Sequence, residues 1–106
     1  MDSGDLIVVS CGAPREKFWG VLTSLNAVGV TLRALPVPAF EDWLRQLTAG
    51  SAPLVGPTTV FLPSHRIERI ELDESSGAVE GLADRVRRVT GRDARSELGS
   101  GPDSAR

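Results

Sequence analysis

Alternating apolar and polar side chains predict three strands in the first third of the chain. The first apolar segment covers residues 6–11 and ends at a turn signal, Gly12-Ala13-Pro14. Residues 17–25 and 28–35 are the next two segments, and the turn former Asn26 lies between them. The apolar positions of the third segment share one face, as in a half-buried strand: Val28, Val30, Leu32 and Ala34. We therefore predict that the second and third strands form a hairpin.

The period changes to that of a helix after residue 38. Residues 39–47 place apolar side chains at helical spacing, with acidic side chains in the first turn, where the helix dipole favours them. A second helical pattern covers residues 79–90, with Gly91 as its stop signal. The predicted organisation is a β domain over residues 1–74 with a helical insertion at 39–48. A C-terminal helical segment at 75–92 and a disordered tail at 93–106 complete it.

Residues 58–72 read as a strand that breaks and restarts. The segment Thr58–Leu62 is β-branched, aromatic or aliphatic, and Pro63 ends it because proline has no N–H for the ladder. The polar triplet Ser64-His65-Arg66 follows, and apolar positions resume in Ile67–Leu72. We predict two strands joined by a one-turn corner. Five short strands with tight turns are typical of a small barrel.

The same segments resemble the Sm-like (Lsm/Hfq-type) small β-barrel family. A strand at Leu6–Cys11, a glycine-bearing strand at Phe18–Leu22 and the turn at Ser24–Val30 resemble its first motif. The segment Val60–Ile70, with its proline corner, resembles the second motif in its bacterial form. The expected fold is mainly β: a five-stranded, strongly bent Sm-like or SH3-like small barrel with an inserted short helix and a C-terminal helix. Other SH3-like barrels and PRC barrels share such patterns.

The chain also departs from the family. The usual Asp-x-x-Met-Asn base-binding turn is here Asn26-Ala27-Val28-Gly29-Val30, without the Asp, the Met and the second Asn. The Arg-Gly of the eukaryotic second motif is absent, and a helix follows the last strand instead of preceding the first. The fold therefore carries over better than RNA binding does.

The resemblance implies a non-enzymatic protein that assembles into a homo-oligomeric ring, with RNA as a candidate ligand. Its candidate nucleic-acid-binding residues are Asn26, His65 and Arg66. The alternative for Asn26 is a turn former, and for the His-Arg pair an exposed turn with local hydrogen bonds. The competing function is a protein-interaction or scaffold module of the same fold that binds no nucleic acid.

An uncharged apolar edge strand favours self-association, and Thr58–Leu62 carries no charge. In the Sm-like family the strand before the corner pairs with the strand after the corner of the next subunit, head to tail. The predicted interface residues are therefore these: Thr59, Val60, Phe61, Leu62, Ile67, Arg69 and Glu71.

Two further features have two interpretations each. Phe40 and Trp43, on the inserted helix, either form a partner-docking patch or belong to a lid over one open end of the barrel. Five arginines near the C-terminus form either a phosphate-contacting tail or a solvated helix face: Arg85, Arg87, Arg88, Arg92 and Arg95.

Composition limits the remaining function classes. The 106 residues are 41% hydrophobic and 25% charged with a net charge of −2, an ordinary globular balance without the basic excess of bulk nucleic-acid binders. One cysteine and one histidine exclude an internal disulfide and a His/Cys zinc site within one chain. No apolar run reaches the roughly 20 residues of a membrane span, and no signal peptide is apparent. We expect a cytoplasmic protein with no cofactor and no catalytic motif, and a buried, inert thiol at Cys11.

Overall fold

Five strands and three α-helices follow one another in the computed structural model, which describes residues 1–50 and 54–99. Within those residues the strands are β1 Leu6–Cys11, β2 Glu16–Leu25, β3 Gly29–Pro36, β4 Thr58–Pro63 and β5 Ile67–Leu72. The helices are α1 Phe40–Ala49, α2 Leu82–Thr90 and α3 Ala94–Gly99. Short 3-10 turns occur at Val37–Ala39 and Ser64–Arg66.

The predicted elements before residue 73 are confirmed, with ends shifted by at most two residues. β1 and β5 have the predicted bounds, and the polar triplet between β4 and β5 is a single 3-10 turn. β2 and β3 pair as a hairpin, although Val28 lies in its turn and is 68% exposed. The second predicted helix begins three residues late, at Leu82, because the preceding residues form a capping loop.

All neighbouring strands of the sheet are antiparallel, in the order β4-β3-β2-β1-β5. The two edge strands are β4 and β5, and only the three residues of the corner join them. The sheet must therefore curl until its two edges approach each other at this corner. No pairing joins β4 to β5 in the described ranges, so the sheet is not closed and the barrel stays a prediction.

Each face of the curled sheet has its own hydrophobic core. The inner face, which lies inside the curl, carries Ile7, Val9, Cys11, Leu22, Val30, Leu32, Ala34 and Leu62. The outer face contributes Leu6, Trp19 and Leu35, and it packs against all three helices through Phe40, Trp43, Leu44, Val86, Ala94 and Leu98. Helix α1 thus covers the outer face of the sheet within one chain, which fits the apolar burial that the lid interpretation assigns to it.

The C-terminal segment is also ordered further than predicted. Residues 94–99 form α3, with Ala94 and Leu98 buried in the outer core, so the prediction of a disordered tail is wrong for them. Two arginine side chains tie this helix down: Arg33 Nε donates to the Leu98 carbonyl at 3.2 Å, and Arg95 Nε donates to the Gly4 carbonyl at 2.7 Å. The rest of the predicted tail, residues 100–106, lies outside the described residues.

One carboxylate joins the sheet to α2. Asp73, directly after β5, accepts the indole N–H of Trp19 at 2.9 Å and the backbone N–H of Ala83 at 2.8 Å on Oδ2. Its Oδ1 accepts the N–H of Leu82 at 2.8 Å. The first N–H groups of a helix have no partner within the helix, so Asp73 caps α2 from a distance and fixes the buried indole.

Gly20 lets β3 approach β2 closely at the middle of the curl. A Cβ at this position would overlap the carbonyl oxygen of Arg33 and lie 2.7 Å from the Cα of Ala34. Both neighbouring atoms belong to the backbone, which cannot move aside without opening the hairpin.

We therefore expect Gly20→Ala to lower the free energy of unfolding by about 1–3 kcal/mol, the usual cost of overpacking. Urea denaturation of both chains measures this difference. Gly56→Ala is the matched control, because a Cβ there meets no atom within 4 Å. Equal losses in the two variants would show that the close approach at Gly20 is unimportant.

A second prediction concerns the carboxylate cap. Asp73→Asn leaves one acceptor oxygen for three N–H groups, so we expect it to destabilise the fold by about 2–4 kcal/mol. Glu74→Gln makes the same change of charge at the next position, where the side chain is exposed, and is expected to be nearly neutral. Thermal unfolding followed by tryptophan fluorescence compares the two, and a silent Asp73→Asn would contradict the capping role.

Candidate functional site: the sheet edges and their corner

The two edge strands differ in chemistry. β4 carries no charged side chain, and its Phe61 is 52% exposed although it is a large aromatic residue. The ring of Phe61 packs over Gly29, where a Cβ would come within 2.8 Å of it. β5 carries three charged side chains, and two of them, Arg69 and Glu71, form an exposed ion pair at 3.2 Å on the strand itself.

The predicted interface residues all lie on these two edge strands. Thr59, Phe61, Arg69 and Glu71 are exposed, while Val60 and Ile67 are half-buried. Leu62 is only 3% exposed and belongs to the inner core, so its side chain cannot contact a partner. The sequence could not distinguish it from Val60, because both positions face the same side of one strand.

The corner is fastened to the turns at both ends of β2. Ser64 N donates to the Val28 carbonyl and Gly12 N donates to the Arg66 carbonyl, both at 2.9 Å. The guanidinium of Arg66 adds bonds to the carbonyls of Gly12 and Pro14 and an ion pair with Glu16 at 2.7 Å. Arg66 therefore holds the corner in place, and its contacts support the local alternative over nucleic-acid binding.

The other two candidate nucleic-acid-binding residues, Asn26 and His65, are exposed. Asn26 Oδ1 accepts the N–H of Val28 at 2.9 Å, which is a turn-forming contact within its own loop. The side chain of His65 is exposed and forms no hydrogen bond or ion pair with the residues that the structure describes. Because Ser64 N donates to the Val28 carbonyl, the Asn26 turn and the corner are neighbours.

The aromatic residues of α1 are not a docking patch. Phe40 and Trp43 are each 3% exposed and contact Trp19 edge-on, with ring centroids 5.1 and 5.5 Å from it. The prediction of partner docking is wrong, because the outer face of β2 already buries both rings. Their helical spacing was visible in the sequence, but the surface that buries them was not.

The C-terminal arginines are all paired within the chain. Arg85 bonds Glu41, Arg87 bonds Asp93, Arg88 bonds Glu80, Arg92 bonds Glu97, and Arg95 bonds the Gly4 carbonyl. The hydrogen bond from Arg88 lowers the pKa of Glu80 and correspondingly raises the pKa of Arg88. This pattern supports a solvated helix face over a phosphate-contacting tail, since the charges are offset locally.

Cys11 is fully buried at the end of β1, as predicted. Burial raises the pKa of its thiol, and the positive charge of nearby Arg66 opposes that rise without reversing it. A protonated, enclosed thiol is a poor nucleophile.

No cluster of three His, Cys, Asp or Glu side chains that could hold a metal occurs within residues 1–50 and 54–99. Over the same ranges, no helix has the length and apolar character needed to cross a membrane. Comparison with protein-family models, curated proteins and solved structures produced no match. The resemblance to Sm-like barrels therefore stays a prediction.

The inert thiol gives a direct test. We expect Cys11 to react with the thiol reagent DTNB at pH 8 at least about a hundredfold more slowly in the folded protein than in urea, because thiolate and access are both needed. Absorbance of the released product follows the reaction. Rapid labelling of the folded chain would mean that the end of β1 opens readily.

Proposed function

We propose that this chain is a non-enzymatic scaffold protein that assembles head to tail through β4 and β5 into a homo-oligomeric ring. The observation that carries the proposal is that one chain has two unlike sheet edges, both unpaired in the described ranges. An edge without charges, like that of β4, promotes uncontrolled pairing unless a partner covers it.

Head-to-tail contact follows from the difference between the edges. A contact that uses two different surfaces of the same chain repeats from copy to copy, and it closes into a ring when the rotation between copies allows. The three-residue corner holds the two edges at a fixed angle to each other, because it is bonded to the β1–β2 and β2–β3 turns. A fixed angle gives every contact the same rotation, which closure into a ring of one subunit number requires.

The scaffold is preferred over nucleic-acid binding because the candidate polar groups have other partners. Hydrogen bonds or ion pairs within the chain occupy the amide oxygen of Asn26 and the guanidinium of Arg66. The five C-terminal arginines are likewise paired within the chain. RNA binding at the corner is the second candidate. It is favoured by one observation, the exposed and unbonded His65 beside the Asn26 turn.

Phe61→Asp tests the assembly. A charge on the β4 edge should weaken the contact by at least about 30-fold, which corresponds to the roughly 2 kcal/mol of an interface hot spot. Light scattering across a concentration series measures particle mass, and circular dichroism verifies that the variant is folded. Leu25→Asp is the matched control, because Leu25 is similarly exposed, at 47%, but lies outside both edge strands.

The absorbance of the same light-scattering peak at 260 and 280 nm separates the two candidates. A ring without excess absorbance at 260 nm supports the scaffold, and a ring that carries such absorbance supports RNA binding. A monomeric native chain, or a Phe61→Asp variant with unchanged assembly, would refute the proposed contact.

A further inference from the structure

The hydrogen-bond phase of β4 determines which of its backbone groups point away from the sheet. Ser64 N donates to the Val28 carbonyl, so these two residues are a hydrogen-bonded pair. Bonded and non-bonded pairs alternate along an antiparallel ladder, and Thr31 is paired with Phe61 in that register. The N–H and C=O groups of Thr59 and Phe61 therefore point to the free edge, where Pro63 can offer only its carbonyl.

The outward-pointing backbone groups of β5 are determined in the same way. Asp73 N donates to the Leu6 carbonyl at 2.8 Å, so this pair is hydrogen-bonded and the adjoining pair of Ile7 with Leu72 is not. Alternation then directs the backbone groups of Leu72 and Ile70 to the free edge. Each edge thus presents two complete residues for pairing.

The side chains of these outward-pairing residues lie on opposite faces of the sheet. Ile70 packs against the inner core, and Leu72 lies across from inner-facing Ile7. Thr59 and Phe61 alternate with inner-facing positions of β4 and therefore lie on the outer face. Opposite residues of an antiparallel pair project to the same side, so antiparallel contact would join the outer face of one copy to the inner face of the next.

We infer that β4 joins β5 of the next copy antiparallel, with Thr59 opposite Leu72 and Phe61 opposite Ile70. This register rests on the proposed head-to-tail assembly and specifies its contact. It overlaps nearly the full length of both strands and lets both outward residues of each edge exchange two hydrogen bonds. A shift by two residues in one direction places Pro63 in a bonded position, where it has no N–H to donate. The opposite shift places Phe61 opposite Glu68, the extra residue at the irregularity of β5.

The register also accounts for two exposed apolar side chains. Phe61 is 52% exposed and Leu72 is 44% exposed in the single chain. In the inferred contact Phe61 lies across from Ile70 and diagonal to Leu72, within reach of an aromatic side chain. Parallel pairing with matched faces would instead set Phe61 beside charged Arg69 and Glu71, and it would leave Leu72 without this aromatic partner.

Engineered disulfides test the register. Val60 and Glu71 would be a directly opposed, non-bonded pair with a Cα separation of about 4.5 Å, which a disulfide can span. We expect the V60C/E71C variant to lose its monomer band on a non-reducing gel after mild oxidation and to form a ladder of covalent oligomers. A mixture of separate V60C and E71C chains should give a covalent dimer, which can only form between copies.

Four comparisons make the result decisive. V60C and E71C alone are controls for nonspecific disulfides, with Cys11 retained in every chain because it is buried. V60C/R69C reports a shift by two residues, and V60C/I70C reports parallel pairing with matched faces. Crosslinking in either of these in place of V60C/E71C, or no crosslinking in an oligomer of unchanged mass, overturns the register while the assembly stands. A monomer in light scattering overturns both.

Discussion

The fold depends on the position of one carboxylate. Asp73 accepts three N–H groups, one from the buried indole of Trp19 and two from the first turn of α2. Without it, the indole would have a buried donor lacking a partner and α2 would begin without a cap, two costs that add in the same place. Because Trp19 also contacts both aromatic rings of α1, this carboxylate links the end of β5 to α1 as well as to α2.

Covering the outer face with helices has a consequence for the edges. The helices bury the apolar side chains of β1, β2 and β3 within one chain, so little apolar surface of those strands remains for a partner. The edge strands β4 and β5 receive no such cover, and their backbone groups, with Phe61 and Leu72, remain available. The cationic side chains, by contrast, are not available to a partner. The arginines of α2 and α3 and the guanidinium at the corner all have partners inside the chain. Self-association through the edges is therefore better supported than recognition of a polyanion.

Sequence reasoning found the strands because each has a local cause. The alternation in β3, the turn-forming Asn26 and the proline before the corner act over a few residues, so they could be interpreted without the fold. It failed where the cause was distant. Phe40 and Trp43 had two interpretations, a docking patch or a lid, because nothing near them in sequence shows the β2 surface that buries them. The segment of α3 was assigned to a tail because only Ala94 and Leu98 are buried there, against a core made by other elements.

The sequence by itself determined the number and order of the strands, the hairpin, the one-turn corner and the absence of charge on β4. Local backbone preferences and side-chain periodicity are sufficient for these. Only the tertiary structure decided that the sheet stays open and that the helices lie on its outer face. It also showed that Arg66 bonds the corner to the β1–β2 turn and that Asp73 bonds the end of β5 to Trp19 and α2. It alone also set the phase of the free backbone groups on each edge, because that phase depends on hydrogen bonds between residues far apart in the chain, such as Asp73 with Leu6.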